Sequence, residues 1–250
     1  MIITLREPLS KKLNPIDLFV VFDISGSMMS NRLSSLKSAL NLIIDALDSN
    51  DRLSLISFSI KAETLSELKY MNDNEKKRQK GIVDNLKAFW STFFKEPIRQ
   101  FLNGIEKYYS PNNDRVQSVL FITDGESFDG TPKSNFLKLY GESKNYDFTV
   151  HTFLIGNEGK AQNLMEFANC RDGSFYHIND LEKMNNYVLN IIGGLRTTSY
   201  KNVNVNIASS YPIAKFYENE NYLILHIRKI QNKLHLIFYN LLLDMNIHMY

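Results

Sequence analysis

Apolar and polar residues along this chain fall into blocks whose period switches repeatedly. "IDLFVVF" (16–22) is a short, continuous apolar run rich in β-formers, the pattern of a strand buried on both faces. "RLSSLKSALNLIIDALDS" follows with apolar residues at Leu33, Leu36, Leu40, Ile43, Ile44 and Leu47, which is helical spacing. "DRLSLISFS" (51–59) reads as a second buried strand, and "KAETLSELKYM" (61–71) as a more polar edge strand. "NDNEKKRQKGIVDNLKAFW" (72–90) predicts one helix with a solvated, charge-rich first half. "EPIRQFLNGIEKYY" predicts another, with Pro97 in its first turn.

The second half continues the alternation. "RVQSVLFIT" (115–123) is a buried strand, and "TPKSNFLKLYGES" a helix with Thr131 as cap and Pro132 at its first position. "DFTVHTFLIG" predicts a strand, "GKAQNLMEFANCRDG" a helix closed by Gly173, and "SFYHI" a short strand. "NDLEKMNNYVLNIIGGL" carries a capping-box pattern at Asn179 and Glu182 and is expected to end at Gly193–Gly194. Strands alternating with helices specify an α/β fold: a doubly wound, mostly parallel sheet with helices on both faces. The expected division is an N-terminal extension over 1–13, this domain over 14–195, and a β-rich extension or truncated second domain over 196–250. In that last stretch "YKNVNVNIASS", "AKFYENENYLILHIRKI" and "NKLHLIFYNLLL" are strand-like, with no helix between them.

Composition narrows the chemistry. A formal net charge of +2 gives no bulk electrostatic case for nucleic acid. Cys170 is the only cysteine of the 250 residues, so neither an intrachain disulfide nor a cysteine-based zinc site can form. The first residues are interrupted by Arg6, Glu7 and Pro8 and do not read as a signal peptide, and no apolar run approaches a membrane span. With the single cysteine, this leads to the expectation of a cytoplasmic protein without a transmembrane segment.

The chemistry concentrates in "DISGS". Asp23 ends the first buried strand, and Ser25 and Ser27 follow two residues apart around Gly26. A second buried strand, "VLFIT", is followed directly by Asp124. In open α/β sheets, ligands bind beyond the carboxyl ends of the strands, where the strand order reverses. If the first and fourth strands flank that point, Asp23, Ser25, Ser27 and Asp124 converge. Two carboxylates and two hydroxyls are hard oxygen donors, suited to Mg²⁺, Mn²⁺ or Ca²⁺. The competing readings are a capped loop before a helix, a nucleophilic serine and a carboxylate-nucleophile phosphatase. No G-x-S-x-G surrounds either serine, and the place of a phosphatase's second aspartate is taken by Ser25. The five histidines form no recognisable triad pattern, and His151, mid-strand, reads as a core histidine.

"DISGS", a later threonine and "TDG" resemble the metal-ion-dependent adhesion site of von Willebrand factor A-like domains. "DRLSLISFS" and "IIGGLRTTSYKNVNVNI" resemble the intracellular, inter-alpha-trypsin-inhibitor-like branch of that family. The resemblance covers about residues 14–195 and implies a Rossmann-like fold. It also implies a metal site of Asp23, Ser25 and Ser27 from the first loop, Thr92 from the second and Asp124 from the third. The family commonly has glycines before this threonine, whereas this chain has Trp90 and Ser91. By resemblance the ion is Mg²⁺, with Mn²⁺ or Ca²⁺ possible. The function is then non-enzymatic protein binding, in which the metal accepts an Asp or Glu carboxylate from a partner. A Mg²⁺-dependent phosphatase or hydrolase, and a scaffold domain with an unused metal site, remain the alternatives.

Overall fold

A computed structural model of the protein describes residues 2–4, 13–29, 31–89, 91–110, 114–125, 127–140, 146–156, 161–178, 181–197, 203–208, 226–230, 233–238 and 246–248. They divide into two compact units, Asn14–Gly193 and the combination of Met1–Leu13 with Gly194–Tyr250. The chain opens on β1 (Ile2–Thr4), which belongs to the second unit.

The larger unit follows the alternating pattern in order: β2 (Ile16–Asp23), α1 (Asn31–Ala46), β3 (Arg52–Phe58), β4 (Ala62–Tyr70), α2 (Asp73–Asp84), α3 (Lys95–Tyr108), β5 (Val116–Thr123), α4 (Pro132–Tyr140), β6 (Thr149–Ile155), α5 (Ala161–Asn169), β7 (Phe175–Ile178) and α6 (Leu181–Thr197). The strands form one six-stranded sheet in the order β4-β3-β2-β5-β6-β7. All neighbours are parallel except β3 with β4, so the polar strand lies antiparallel at one edge. From β2 the chain moves outward through β3 to β4, then returns to pair β5 on the other side of β2. The order therefore reverses between β2 and β5, and both strands end there in an aspartate or directly before one.

Every residue of β2 and β5 is buried. Strand alternation sends Phe19 and Val21 into one aromatic-rich cluster with Ile98, Phe101 and Ile105 of α3, while Leu18, Val20 and Phe22 are buried on the opposite side. In that cluster Phe58, Phe94 and Phe121 pack ring on ring, with centroids 5.3–6.0 Å apart. Thr131 caps α4 by accepting from Ser134 N at 3.1 Å, and Pro132 opens the helix, as the sequence predicts.

Two helix ends differ from expectation, and a third closes as expected with an added role. The helix predicted over 72–90 stops at Asp84, because the backbone of Phe89 is claimed by the first site loop: its N–H donates to Ile24 O at 2.6 Å. α6 passes through Gly193–Gly194 to Thr197; glycine tolerates helix, and both positions have open space around them. Beyond α5, Asp172 takes the left-handed conformation (φ 52°) and Gly173 N–H donates to Ala168 O at 3.2 Å, closing the helix, while its missing side chain serves a second purpose. A Cβ on Gly173 would lie 1.9 Å from the carbonyl oxygen of Val150, so glycine is there for close approach to β6. The cap expected at Asn179 lies outside the described residues.

In the second unit, β8 (Val203–Ala208), β9 (His226–Ile230) and β10 (Lys233–Phe238) form an antiparallel sheet in the order β8-β10-β9. β11 (Asn246–His248) pairs antiparallel with β1. The sequence reading treats residues 1–13 as a separate extension; of these, Ile2–Thr4 pair with Asn246–His248, a contact that leaves no local signal. Among the described residues, no helix is long and apolar enough to cross a membrane.

Candidate metal centre

The centre is built by three loops at the carboxyl edge of the sheet. In the first loop, β2 delivers Asp23 fully buried. Its Oδ1 accepts from Ser25 N at 2.7 Å, and its Oδ2 accepts from the Thr123 hydroxyl at 2.7 Å. Ser25 is extended and buried, a 3₁₀ turn over Gly26–Met28 follows, and the Ser25 and Ser27 hydroxyl oxygens lie 3.0 Å apart. Ser27 is solvent-exposed, so the hydroxyl pair runs from the buried carboxylate to the surface.

The third loop begins at Asp124, buried directly after β5. Gly125 follows in the left-handed region (φ 84°), and its N–H donates to the Thr123 hydroxyl at 3.1 Å. Thr123 thus connects Asp23 to the loop that carries Asp124. Arg32, from the first turn of α1, makes a second connection: its Nη1 donates to Ser27 O at 3.1 Å and lies 3.3 Å from Asp124 Oδ2. The seat of this guanidinium includes Gly156, whose φ of 100° favours glycine and where any Cβ would approach Arg32 Nη2 to 2.7 Å.

The second loop carries Thr92, which is buried. It is fastened to the third loop: Thr92 O accepts from Phe128 N at 3.1 Å and from the Ser127 hydroxyl at 3.4 Å. Asp129 reinforces the join by accepting from Phe94 N and Lys95 N, both at 2.8 Å, at the start of α3. The first loop is tied to the segment entering the second by a parallel bridge between Ser25 and Phe89. Ser91, where the family pattern has glycine, takes the left-handed conformation at φ 64°. The backbone shape that glycine would permit is therefore present, held by a serine.

Asp23, Ser25 and Ser27 are thus joined directly, Asp124 through Thr123 and Arg32, and Thr92 through the third loop. The sequence reading does not single out Thr123, Arg32 or Asp129. Thr123 could have been noticed as the hydroxyl immediately before Asp124, whereas Arg32 and Asp129 act across the fold. The aromatic cluster near Thr92 divides: Phe94 is core, Phe93 is half-buried against Phe128 with ring centroids 6.0 Å apart, and Phe89 is exposed. Trp90 lies outside the described residues.

Burial lifts the Asp23 carboxyl from its ordinary 3.8 to about 7, against the hydrogen bonds from Ser25 and Thr123 that favour its ionised form, with the Asp124 charge adding to the rise. An ionised Asp23 is costly at this depth without a cation beside it. Among the described residues, no three of His, Cys, Asp and Glu gather as a metal-binding group. The donor set here is two carboxylates with hydroxyls, which fits a hard divalent cation. His151 lies away from these loops as a buried strand residue, accepting from Ser174 N at 3.0 Å through Nδ1.

Comparison with known proteins agrees with this architecture. The family model of the von Willebrand factor type A domain matches residues 17–191. An uncharacterised protein of Synechocystis sp. is 32% identical over 164 residues, 66% of this chain and 38% of that protein. The E3 ubiquitin-protein ligase WAV3 of Arabidopsis thaliana is 31% identical over 113 residues, 45% of this chain and 15% of that protein. The chain thus spans well under half the length of these relatives. Among solved structures, a von Willebrand factor type A protein from Catenulispora acidiphila superposes with a TM-score of 0.68 at 18% identity, covering 82% of this chain and 47% of that one. Proximal thread matrix protein 1 of the mussel byssus, in a form described as having a zinc-occupied MIDAS motif, superposes with a TM-score of 0.55 at 17% identity, covering 76% and 48%. Domains of this family are commonly metal-dependent protein-interaction modules. A doubly wound sheet reversing between β2 and β5, with the family model running from Asp17 to Ile191, places the chain in the von Willebrand factor type A domain family.

Proposed function

We propose that Asp23, Ser25, Ser27, Thr92 and Asp124 hold a divalent cation, Mg²⁺ in the first instance, and that the ion binds a partner protein through an Asp or Glu carboxylate. The observation that carries this reading is Asp23: a carboxylate with no solvent exposure, aimed into a loop cluster with two serine hydroxyls and a second buried aspartate. The mussel protein's zinc-occupied motif supports a metal at this edge of the fold.

When bound, the ion supplies a concentrated positive charge that attracts an anionic oxygen. The chain's own residues do the rest. Asp23, oriented by Ser25 N and Thr123, holds the first loop in shape. Hydroxyl ligands are neutral, so they leave more of the ion's charge for a partner than carboxylates would. Asp129 keeps the second loop against the third. Nothing in this arrangement calls for turnover, and the reading is of a binding module without catalysis.

Isothermal titration with Mg²⁺ and Mn²⁺ tests the metal. Single-site binding to the wild type, lost in Asp23→Ala with the far-ultraviolet circular dichroism unchanged, is the expected result. No heat of binding from either ion would refute it. Hydrolysis of a generic phosphate ester, lost in both Asp23→Ala and Asp124→Ala, would replace it with the enzymatic reading.

A further inference from the structure

Three large apolar side chains stand exposed on the loops of the candidate centre, each tied by a backbone hydrogen bond to a loop that carries its proposed ligands. Met29 is 45% exposed, and its N–H donates to the carbonyl of Gly26, between Ser25 and Ser27. Phe89 is 53% exposed; its N–H donates to Ile24 O and it bridges to Ser25. Phe128 is 78% exposed, and its N–H donates to Thr92 O. Single exposed apolar residues are ordinary. One on each of the loops that carry the proposed ligands puts apolar surface beside the same polar centre. The side chains are Phe, Phe and Met, types enriched where proteins bind one another.

Resting on the metal reading above, we propose that these side chains select the partner: a short protein segment whose acidic residue is flanked by a large apolar one. Charge complementarity sets the first half of that description: three of the five proposed ligands are neutral hydroxyls, so the cation keeps charge that favours a carboxylate at the middle. The apolar ring sets the second half, since a lone acidic side chain would leave Met29, Phe89 and Phe128 in water. Size sets the length of the segment. A whole Phe side chain buries about 200 Å², so two partly exposed Phe and one Met offer a few hundred, short of the ~800 Å² per partner of a stable folded interface. A peptide-sized segment fits that area, and a second copy of this chain does not.

The test is selection of a displayed random-peptide library on the full chain in Mg²⁺, with elution in chelator. It is repeated on the combined variant Met29→Ser, Phe89→Ser, Phe128→Ser and on Phe128→Ser alone. Mn²⁺ titration of each protein runs beside it. The expected result is enrichment of Asp or Glu with Phe, Leu, Ile, Trp or Met within two positions. A selected peptide should bind the combined variant about tenfold or more weakly, while Mn²⁺ affinity is unchanged. Acidic enrichment without apolar neighbours would overturn the proposal and leave the metal reading intact. Absence of Mn²⁺ binding in the wild type would overturn both. Sedimentation showing a wild-type dimer that the combined variant abolishes would assign the patch to self-association instead.

Discussion

The Arg32 guanidinium lies 3.3 Å from the Asp124 carboxylate, so one of the two aspartates at the centre already has a cation at its side. Both that cation and an incoming metal seek the same negative charge. Arg32→Gln is expected to tighten Mn²⁺ binding by about tenfold or less, the lower figures holding because the side chain is 35% exposed and screened. Titration at two ionic strengths checks this: the gain should shrink in high salt. Weaker binding in the variant would mean that Arg32 positions Asp124 for the metal and does not compete with it.

Two buried groups predict opposing pH effects in the metal-free protein. Asp23, raised from 3.8 to about 7, contributes stability that is full below about pH 3.8 and is lost as pH rises through 7. His151, depressed by burial from 6.5 to about 4, is neutral when folded, so its contribution is full above pH 6.5 and is lost as pH falls toward 4. Between pH 4 and 6.5 the folded state holds a proton on Asp23 that the unfolded state lacks, and the unfolded state holds one on His151 that the folded state lacks. The two slopes cancel. Asp23→Asn removes one of them, and its stability should rise with pH across that window by roughly 1.4 kcal/mol per unit. Urea denaturation at a series of pH values, in chelator, measures it; a flat profile for the variant would contradict the assignment of His151.

Ser91 at φ 64° sits where a side chain costs about 1–2 kcal/mol. Ser91→Gly relieves this but enlarges the freedom of the unfolded chain, leaving a net stabilisation of about 0.5–1 kcal/mol. Ser91→Val should destabilise by more than 1 kcal/mol, since branching worsens the same clash. Denaturant midpoints of the three proteins give the order Gly, Ser, Val; a Gly variant weaker than wild type would show that the serine side chain is needed in the loop.

Asp129 accepts from two backbone N–H groups at the start of α3 and joins the loops. Asp129→Ala should cost about 1–2 kcal/mol, the range of a lost helix cap. It should also weaken Mn²⁺ binding, because the join that holds Thr92 to the third loop is then left to Phe128 N and the Ser127 hydroxyl alone. A variant destabilised to that extent with Mn²⁺ affinity unchanged would remove Thr92 from the proposed ligands.

Much of this was legible in the chain because local periodicity and long-range structure agree. The apolar run 16–22 and the run 115–123 predict two fully buried strands, and the structure makes them neighbours at the reversal of the sheet. Asp23 and Asp124 follow from that placement. The periodicity over 72–90 overextends the helix because Leu86, Lys87, Ala88 and Phe89 are all helix-compatible, while the fate of Phe89 is decided by Ile24, more than sixty positions earlier. Gly193–Gly194 read as a stop, yet helix-ending glycine depends on what the next residues can reach. In sequence Arg32 is one polar position among several of a helix, and nothing near Gly156 announces that its missing side chain makes room for a guanidinium. Asp129 was equally silent, since its partners are 34 and 35 residues away.

The hydrogen bond from Thr123 to Asp23 spans 100 residues. A chain still emerging from the ribosome can complete "DISGS" and even the second loop without owning a finished centre; that waits for β5 to be synthesised and to insert beside β2. Closing so long a loop is a late and slow event. On the proposed metal reading, ion uptake is a clock for folding: in a refolding experiment it should lag the gain of helical signal and coincide with completion of the sheet.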